Sequence, residues 1–326
     1  MIGAMWLTCR LVAVLFGLAT FSSTGFAASA SCSFSITAVN FGNIDVTANT
    51  TIDTTATFSA NCTGNANTTV RVCPNINEGT GGSSSGNPRV LLNGANQLNF
   101  NLFQNSARTT VWGSYTWAYA GTYKPPTVNV SLNSSGVGSA TATIYARVLA
   151  GQQTKPAGVY TSSFASPYTL IGYAYSTVGT CAVIGGTNGV AAPFTVTATN
   201  LTTCSVSATT VDFGSAGVLQ TAINGSGSLG VTCTASAPYT VALNGGNAGA
   251  TDPTQRKMSK SSEKITYGLY RDAARTLPWG STAGVNTAAG TGTGLAQSIT
   301  VYGQVPAQTT PSPGAYVDTV VVTLTY

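Results

Sequence analysis

The sequence predicts an all-β protein organised as two tandem β-sandwiches. Three observations carry that expectation. Cysteine-anchored blocks occur twice in the same order, charged residues make up only 6% of a chain dominated by Thr, Ser, Gly, Asn, Ala and Val, and short apolar alternations are punctuated by Gly, Asn and Ser clusters. At 326 residues, the chain holds two domains of ordinary size, each large enough to bury a core.

Residues 1–30 read as an export signal. Arg10 supplies the positive start and Leu11 to Leu18 the apolar run. Cleavage is expected after Ala27 or after Ala30, both set among small residues. The run is too short to span a bilayer. Ser29, three residues before Cys32, sits where a lipoprotein signal needs an aliphatic residue. The mature chain is therefore expected to be exported and soluble, starting a few residues before Cys32.

The two copies follow. CSFSITAVNFG from Cys32 answers CSVSATTVDFG from Cys204, and the cysteine-threonine step at Cys62 answers that at Cys233. LNFNLFQNSARTTVWGS from Leu98 answers ITYGLYRDAARTLPWGS from Ile265, and each copy closes on a Gly-X-Tyr step, at Gly158 and Gly314. Block order is kept while spacing drifts, as when duplicated domains diverge through their loops. The expected domains are 31–189 and 204–326, with 190–203 between them. Expected strands include Ser35 to Phe41, Ala140 to Val148, Ile299 to Val305 and Thr319 to Tyr326. Gly79 to Asn87 and Thr287 to Gly294 read as loops.

Export implies an oxidising compartment, and of seven cysteines Cys9 leaves with the leader. The repeat assigns Cys32 to Cys62 and Cys204 to Cys233. Cys73 and Cys181, present in the first copy alone, are left to pair as an extra staple, the alternative being buried free thiols.

Composition argues against catalysis. The chain has no histidine, removing the commonest general base and metal ligand, and its eight acidic residues are scattered. No CxxC suggests zinc, and TAAGTGTG lacks the Lys-Ser/Thr of a phosphate loop. No enzyme activity, cofactor or metal is expected. A net charge of +5 without clustering gives no nucleic-acid footprint. The one basic run, Arg256-Lys257 with Lys260 and Lys264, reads as a solvated loop beside Asp252 and Glu263.

Together, the Cys...FG start, the Cys-Thr step, the Tyr267 to Tyr270 and Trp279-Gly280-Ser281 block, and the final Gly314-Ala315-Tyr316 before an alternating strand resemble the spore coat protein U domain. The second copy carries all of these marks. The first matches more loosely, with Phe100 replacing Tyr267, and holds insertions. This family includes subunits of archaic, Csu-type chaperone-usher pili, and two such domains in one chain resemble their tip adhesin. The resemblance implies immunoglobulin-like sandwiches, the C-terminal one incomplete and awaiting a donor strand lent first by a periplasmic chaperone and then by the next pilin at an outer-membrane usher.

The residues support that reading in three places. The sequence ends at Tyr326 inside its strongest alternating run, so Val320, Val322 and Leu324 are expected at the edge of an acceptor groove. The short mature segment before Cys32 leaves almost no donor arm. In APFTVTATNL, Phe194, Val196 and Ala198 share one face, the pattern of a donor strand able to complete the first copy in cis; the alternatives are a plain linker or the first strand of the second domain.

The first copy is expected to carry the adhesive surface. Trp112 and Trp279 correspond and read as core. Past them, only the first copy continues with aromatics: Tyr115, Trp117, Tyr119 and Tyr123, with a second stretch from Phe164 and Tyr168 through Leu170, Ile171, Tyr173 and Tyr175. The alternative is that these cap an enlarged sandwich. The expected function is a non-enzymatic pilus-tip adhesin at the cell surface, serving attachment or biofilm formation toward an unidentified surface or receptor. The competing readings are a secreted coat or matrix protein and a sugar-binding lectin.

Overall fold

A computed structural model describes residues 29–84, 88–116, 123–185 and 189–326. All but the last two residues of the expected export signal lie outside these. The first domain contains β1 (Ser31–Ile36), β2 (Val39–Ile44), β3 (Ile52–Thr63), β4 (Thr69–Ile76), β5 (Arg89–Asn93), β6 (Asn96–Phe103), β7 (Val128–Ser131), β8 (Val137–Val148), β9 (Gly158–Phe164), β10 (Thr169–Tyr175), α1 (Cys181–Ile184) and β11 (Phe194–Asn200). Its eight-stranded sheet runs β1-β3-β8-β6-β5-β9-β11-β2 and packs on a three-stranded sheet, β10-β4-β7.

The second domain contains β12 (Cys204–Ala208), β13 (Ile223–Cys233), β14 (Pro238–Leu243), β15 (Arg256–Lys260), β16 (Glu263–Tyr270), β17 (Ala288–Thr291), β18 (Gln297–Val305) and β19 (Val322–Thr325). A five-stranded sheet, β12-β13-β18-β16-β15, faces a three-stranded sheet, β17-β14-β19. Strand for strand, the five repeat β1-β3-β8-β6-β5 of the first domain. The architecture is two immunoglobulin-like sandwiches in tandem.

Thr- and Val-rich alternation builds the long strands. β3 and β8 pair without a break from Ile52 opposite Val148 to Thr63 opposite Val137. The apolar members of β3 face the core while Thr55, Thr57 and Thr63 face out, as a period of two dictates. Two expected strands are corrected. The run Ser35 to Phe41 splits between β1 and β2, because the Thr37 hydroxyl accepts the Thr57 amide at 2.9 Å in place of a ladder carbonyl. Thr319 to Tyr326 yields only β19, because the Asn244 side chain takes the Val321 amide at 2.9 Å and draws the preceding residues off the ladder.

The disulfides Cys32–Cys62 and Cys204–Cys233 join directly paired positions of adjacent strands. Cys73–Cys181 ties β4 to α1 across 108 residues, a loop long enough to contribute about 4–5 kcal/mol in the chain-entropy account. Trp112 and Trp279 are both buried. Their indole Nε1 groups donate to the carbonyls of Pro74 (2.8 Å) and Val241 (3.0 Å), so each ring pins one sheet to the other.

Candidate functional site

In β11 the sequence FTVTATN alternates, and Phe194, Val196 and Ala198 are each at most 7% exposed inside the first core, with Ala192 buried beside them. The strand lies between β9 and β2. It is antiparallel to β9 over seven positions, from Phe194 opposite Phe164 to Asn200 opposite Gly158, and parallel to β2. Phe194 stacks on Phe164 with ring centroids 4.5 Å apart. Asn200 closes the far end, donating to the carbonyls of Lys155 (3.1 Å) and Pro156 (3.0 Å). Burying Phe194 and Val196 contributes roughly 1.5–3 kcal/mol each.

The second domain repeats both walls of this slot. Tyr316 donates its hydroxyl to the Ser312 carbonyl at 2.8 Å, as Tyr160 does to Pro156 at 2.8 Å, which equates Gly314–Val320 with β9. Val317 makes a single bridge to Ser259, as Thr161 does to Leu92. The opposite wall, from Val211 to Gly214, corresponds to β2 and makes one bridge, Asp212 to Ser226. Phe213 rests against Gly303, where a Cβ would meet its ring at 2.8 Å. Between the walls runs a groove of about 990 Å³ with Leu229, Leu243, Leu269, Val301 and Val305 lining its interior. Among the described residues, no strand pairs with both walls there.

Of the expected groove-edge residues, Val320 and Val322 line the groove and are half-buried. Leu324 does not line it; two residues further along the same face of β19, it stands opposite Val241 of β14 and packs on the core beyond the groove.

The expected adhesive residues separate. Tyr115 is 36% exposed, its amide donates to Asn75 Oδ1 at 2.7 Å, and Lys124 Nζ lies 4.9 Å from its ring centroid. Tyr123 is half-buried. Trp117 and Tyr119 lie outside the described residues. Phe164 is corrected: at 1% exposure, under Phe194, it is core. Its stretch continues as buried strand, with Ile171 at 0% and Tyr173 at 9%, and Tyr168 packs half-buried against the same core. The inward period of β9 and β10, not surface display, accounts for these aromatics.

Arg256 corrects the solvated-loop reading. It is fully buried on β15 and donates to the carbonyls of Asn244 (2.8 Å), Pro253 (2.7 Å), Leu243 (3.2 Å) and Trp279 (2.8 Å). Burial pulls its pKa below the ordinary arginine value. Arg89 does the same in the first domain, donating to Asn77 (2.7 Å), Ile76 (2.8 Å) and Trp112 (2.7 Å). Both arginines stand 23 residues before the tryptophan whose carbonyl they hold, a spacing visible in the repeat.

Among the described residues, no group of three or more Cys, Asp or Glu is placed to hold a metal ion. No helix among them is long and apolar enough to cross a membrane.

Comparison with known proteins bears on both domains. One curated relative, "Protein U" of Myxococcus xanthus, is 39% identical over 109 residues, a match spanning 31% of this chain and 60% of the relative. Among solved structures, a chain of the CsuC–CsuE chaperone–tip adhesion subunit pre-assembly complex of Acinetobacter baumannii superposes with a TM-score of 0.54 at 19% identity, covering 91% of this chain and all of that one. The CupB6 tip adhesin of Pseudomonas aeruginosa gives a TM-score of 0.39 at 12% identity, covering 91% of this chain and 94% of that chain. The family model of the Spore Coat Protein U domain matches twice, over residues 18–165 and 190–323, and the chain belongs to that family.

Proposed function

We propose that this protein is a non-enzymatic subunit of a chaperone-usher pilus, placed at the tip, whose second domain accepts a donor strand and whose first domain mediates attachment. One observation carries the reading. The slot that β11 fills in the first domain recurs in the second as an open apolar groove between equivalent walls. Such an edge is an aggregation hazard unless a strand is added to it, and an added strand gains main-chain hydrogen bonds along both walls. The occupant is an extended segment with apolar side chains at alternate positions, matching the pattern of β11. A periplasmic chaperone supplies it first, and the next pilin replaces it at the outer-membrane usher. The first domain, its slot filled from its own chain, is free to face outward.

The competing reading is a structural protein of a coat or matrix, favoured by the family description. It requires both domains to polymerise, which the seating of β11 between β9 and β2 disfavours. Co-expression with a chaperone of this pilus class distinguishes them. The tip reading expects a one-to-one complex, held through the second domain and dissociated by substitutions such as Val320→Asp. Chaperone-free filaments of the purified chain would support the coat reading instead.

A further inference from the structure

The wall formed by Gly314–Val320 has one bridge to β15, yet its side chains alternate between half-buried and exposed from Tyr316 to Val320 with the period of β9, which has seven paired positions on β11. Side chains account for it. Asp318 Oδ2 accepts the Tyr267 hydroxyl at 2.6 Å, and its Oδ1 accepts the amides of Asn247 and Thr319, both at 2.8 Å. At the other end, Glu263 Oε1 accepts the Ser312 amide at 3.0 Å. Its Oε2 receives the Ser312 hydroxyl and lies 3.1 Å from that of Tyr316, while Lys260 Nζ donates to Ser312 Oγ at 3.0 Å.

The first domain is an internal control. Asn93 and Asn96 stand opposite one another in β5 and β6 where Lys260 and Glu263 do in β15 and β16. Arg89 faces Phe100 where Arg256 faces Tyr267. On the corresponding wall, Ser162 occupies the place of Asp318 and merely accepts the Gly81 amide at 3.1 Å. The carboxylates are thus found on the copy whose wall lacks a strand beside it.

We infer that Asp318 and Glu263 are positioning residues that brace the acceptor wall of the second domain in its extended form before a strand arrives. This rests on the strand-acceptance reading above. A braced wall presents its free amides and carbonyls in register, so an incoming strand need not first order it, and association is faster. Replacing the braces by their first-domain counterparts, Asp318→Ser with Glu263→Asn, tests this in the full mature chain.

Two measurements are made. Amide exchange at Val317, whose N–H donates to the Ser259 carbonyl and touches neither carboxylate, is expected to rise about tenfold or more, with β13 and β18 unchanged, because the opening is local. A synthetic peptide of residues 192–201 is the strand probe, and its association rate is expected to fall about tenfold while dissociation changes little. Asp318→Asn with Glu263→Gln, which keeps acceptor oxygens in place, should recover part of both effects. Exchange unchanged at Val317 overturns the brace, as does exchange rising equally in β13 and β18 for both pairs of variants. Failure of the peptide to bind the unmodified chain sinks strand acceptance instead, and the exchange comparison still judges the brace by itself.

Discussion

Arg89 and Arg256 show how a charged residue becomes part of a sandwich core. Each guanidinium collects carbonyls that a sheet would otherwise bury without donors, and the cost of desolvating the charge is offset by charge-assisted hydrogen bonds. Truncating the arginine leaves those acceptors orphaned at about 1–3 kcal/mol each. Arg256→Met should therefore lower the stability of the second domain by about 3 kcal/mol or more, read as an earlier midpoint in urea, while Arg89→Met shifts the first domain alone. A midpoint unmoved by Arg256→Met would mean that water replaces the guanidinium. Glu263 is a different case. Donation from the Ser312 hydroxyl, then the Ser312 amide, with Tyr316 and Lys260 nearby, holds its carboxyl below the ordinary glutamate range. A folded-state pKa below the unfolded one means that its contribution is present above the unfolded pKa and is lost as pH falls through the lowered value. Exchange protection of the Ser312 amide, corrected for intrinsic rate, should accordingly hold at neutral pH and drop on acidification. Glu263→Gln should remove that dependence.

At the scale of the element, β11 was legible because period-two alternation needs no tertiary information: Phe194, Val196 and Ala198 fall on one face wherever the strand docks. Which sheet receives it is not written in that pattern, since linker, first strand of the second domain and eighth strand of the first all present the same alternation. The bridges were equally accessible, because duplication equates Cys32 and Cys62 with Cys204 and Cys233. Phe164 and Tyr173 misled because aromatic content says nothing about direction; only their pairing with Phe194 and Val72 shows them turned inward. Arg256 was hidden among lysines until its spacing from Trp279 was matched to that of Arg89 from Trp112. The bracing of the groove wall was invisible for another reason: Asp318 and Glu263 lie far apart in sequence from the Asn247 and Ser312 amides they hold. β11 also supports a direct test. A fragment of residues 29–201 should fold cooperatively, whereas one ending at 189 should not, because it exposes the slot. Phe194→Ala within the longer fragment should cost about 3–4 kcal/mol through the cavity beside Phe164. Equal stability of the two fragments would show that β11 is only a linker.

For the whole molecule, the join between domains is short and polar. Asn200 ends β11 and Cys204 begins β12, with the Thr203 hydroxyl donating to Asp45 at 3.1 Å and Pro156 bridging to Ala235. Load passing from the second domain therefore enters the first along β11, whose ladders with β9 and β2 share it. An adhesive surface on the first domain would use this route, with Tyr115 exposed beside Lys124. A tyrosine or tryptophan removes roughly 150–250 Å² from water when it contacts a surface. At about 25 cal/mol per Å², a few such side chains give useful attachment even to a featureless apolar surface, and many tips acting together multiply weak contacts. Replacing Tyr115, Trp117 and Tyr119 by serine should abolish attachment of piliated cells while secretion and pilus assembly continue. If the triple variant instead accumulates misfolded before assembly, these side chains cap the sandwich. If it assembles and attaches normally, the adhesive surface lies elsewhere on the first domain, and the buried course of Phe164 to Tyr173 leaves that stretch a poor second candidate.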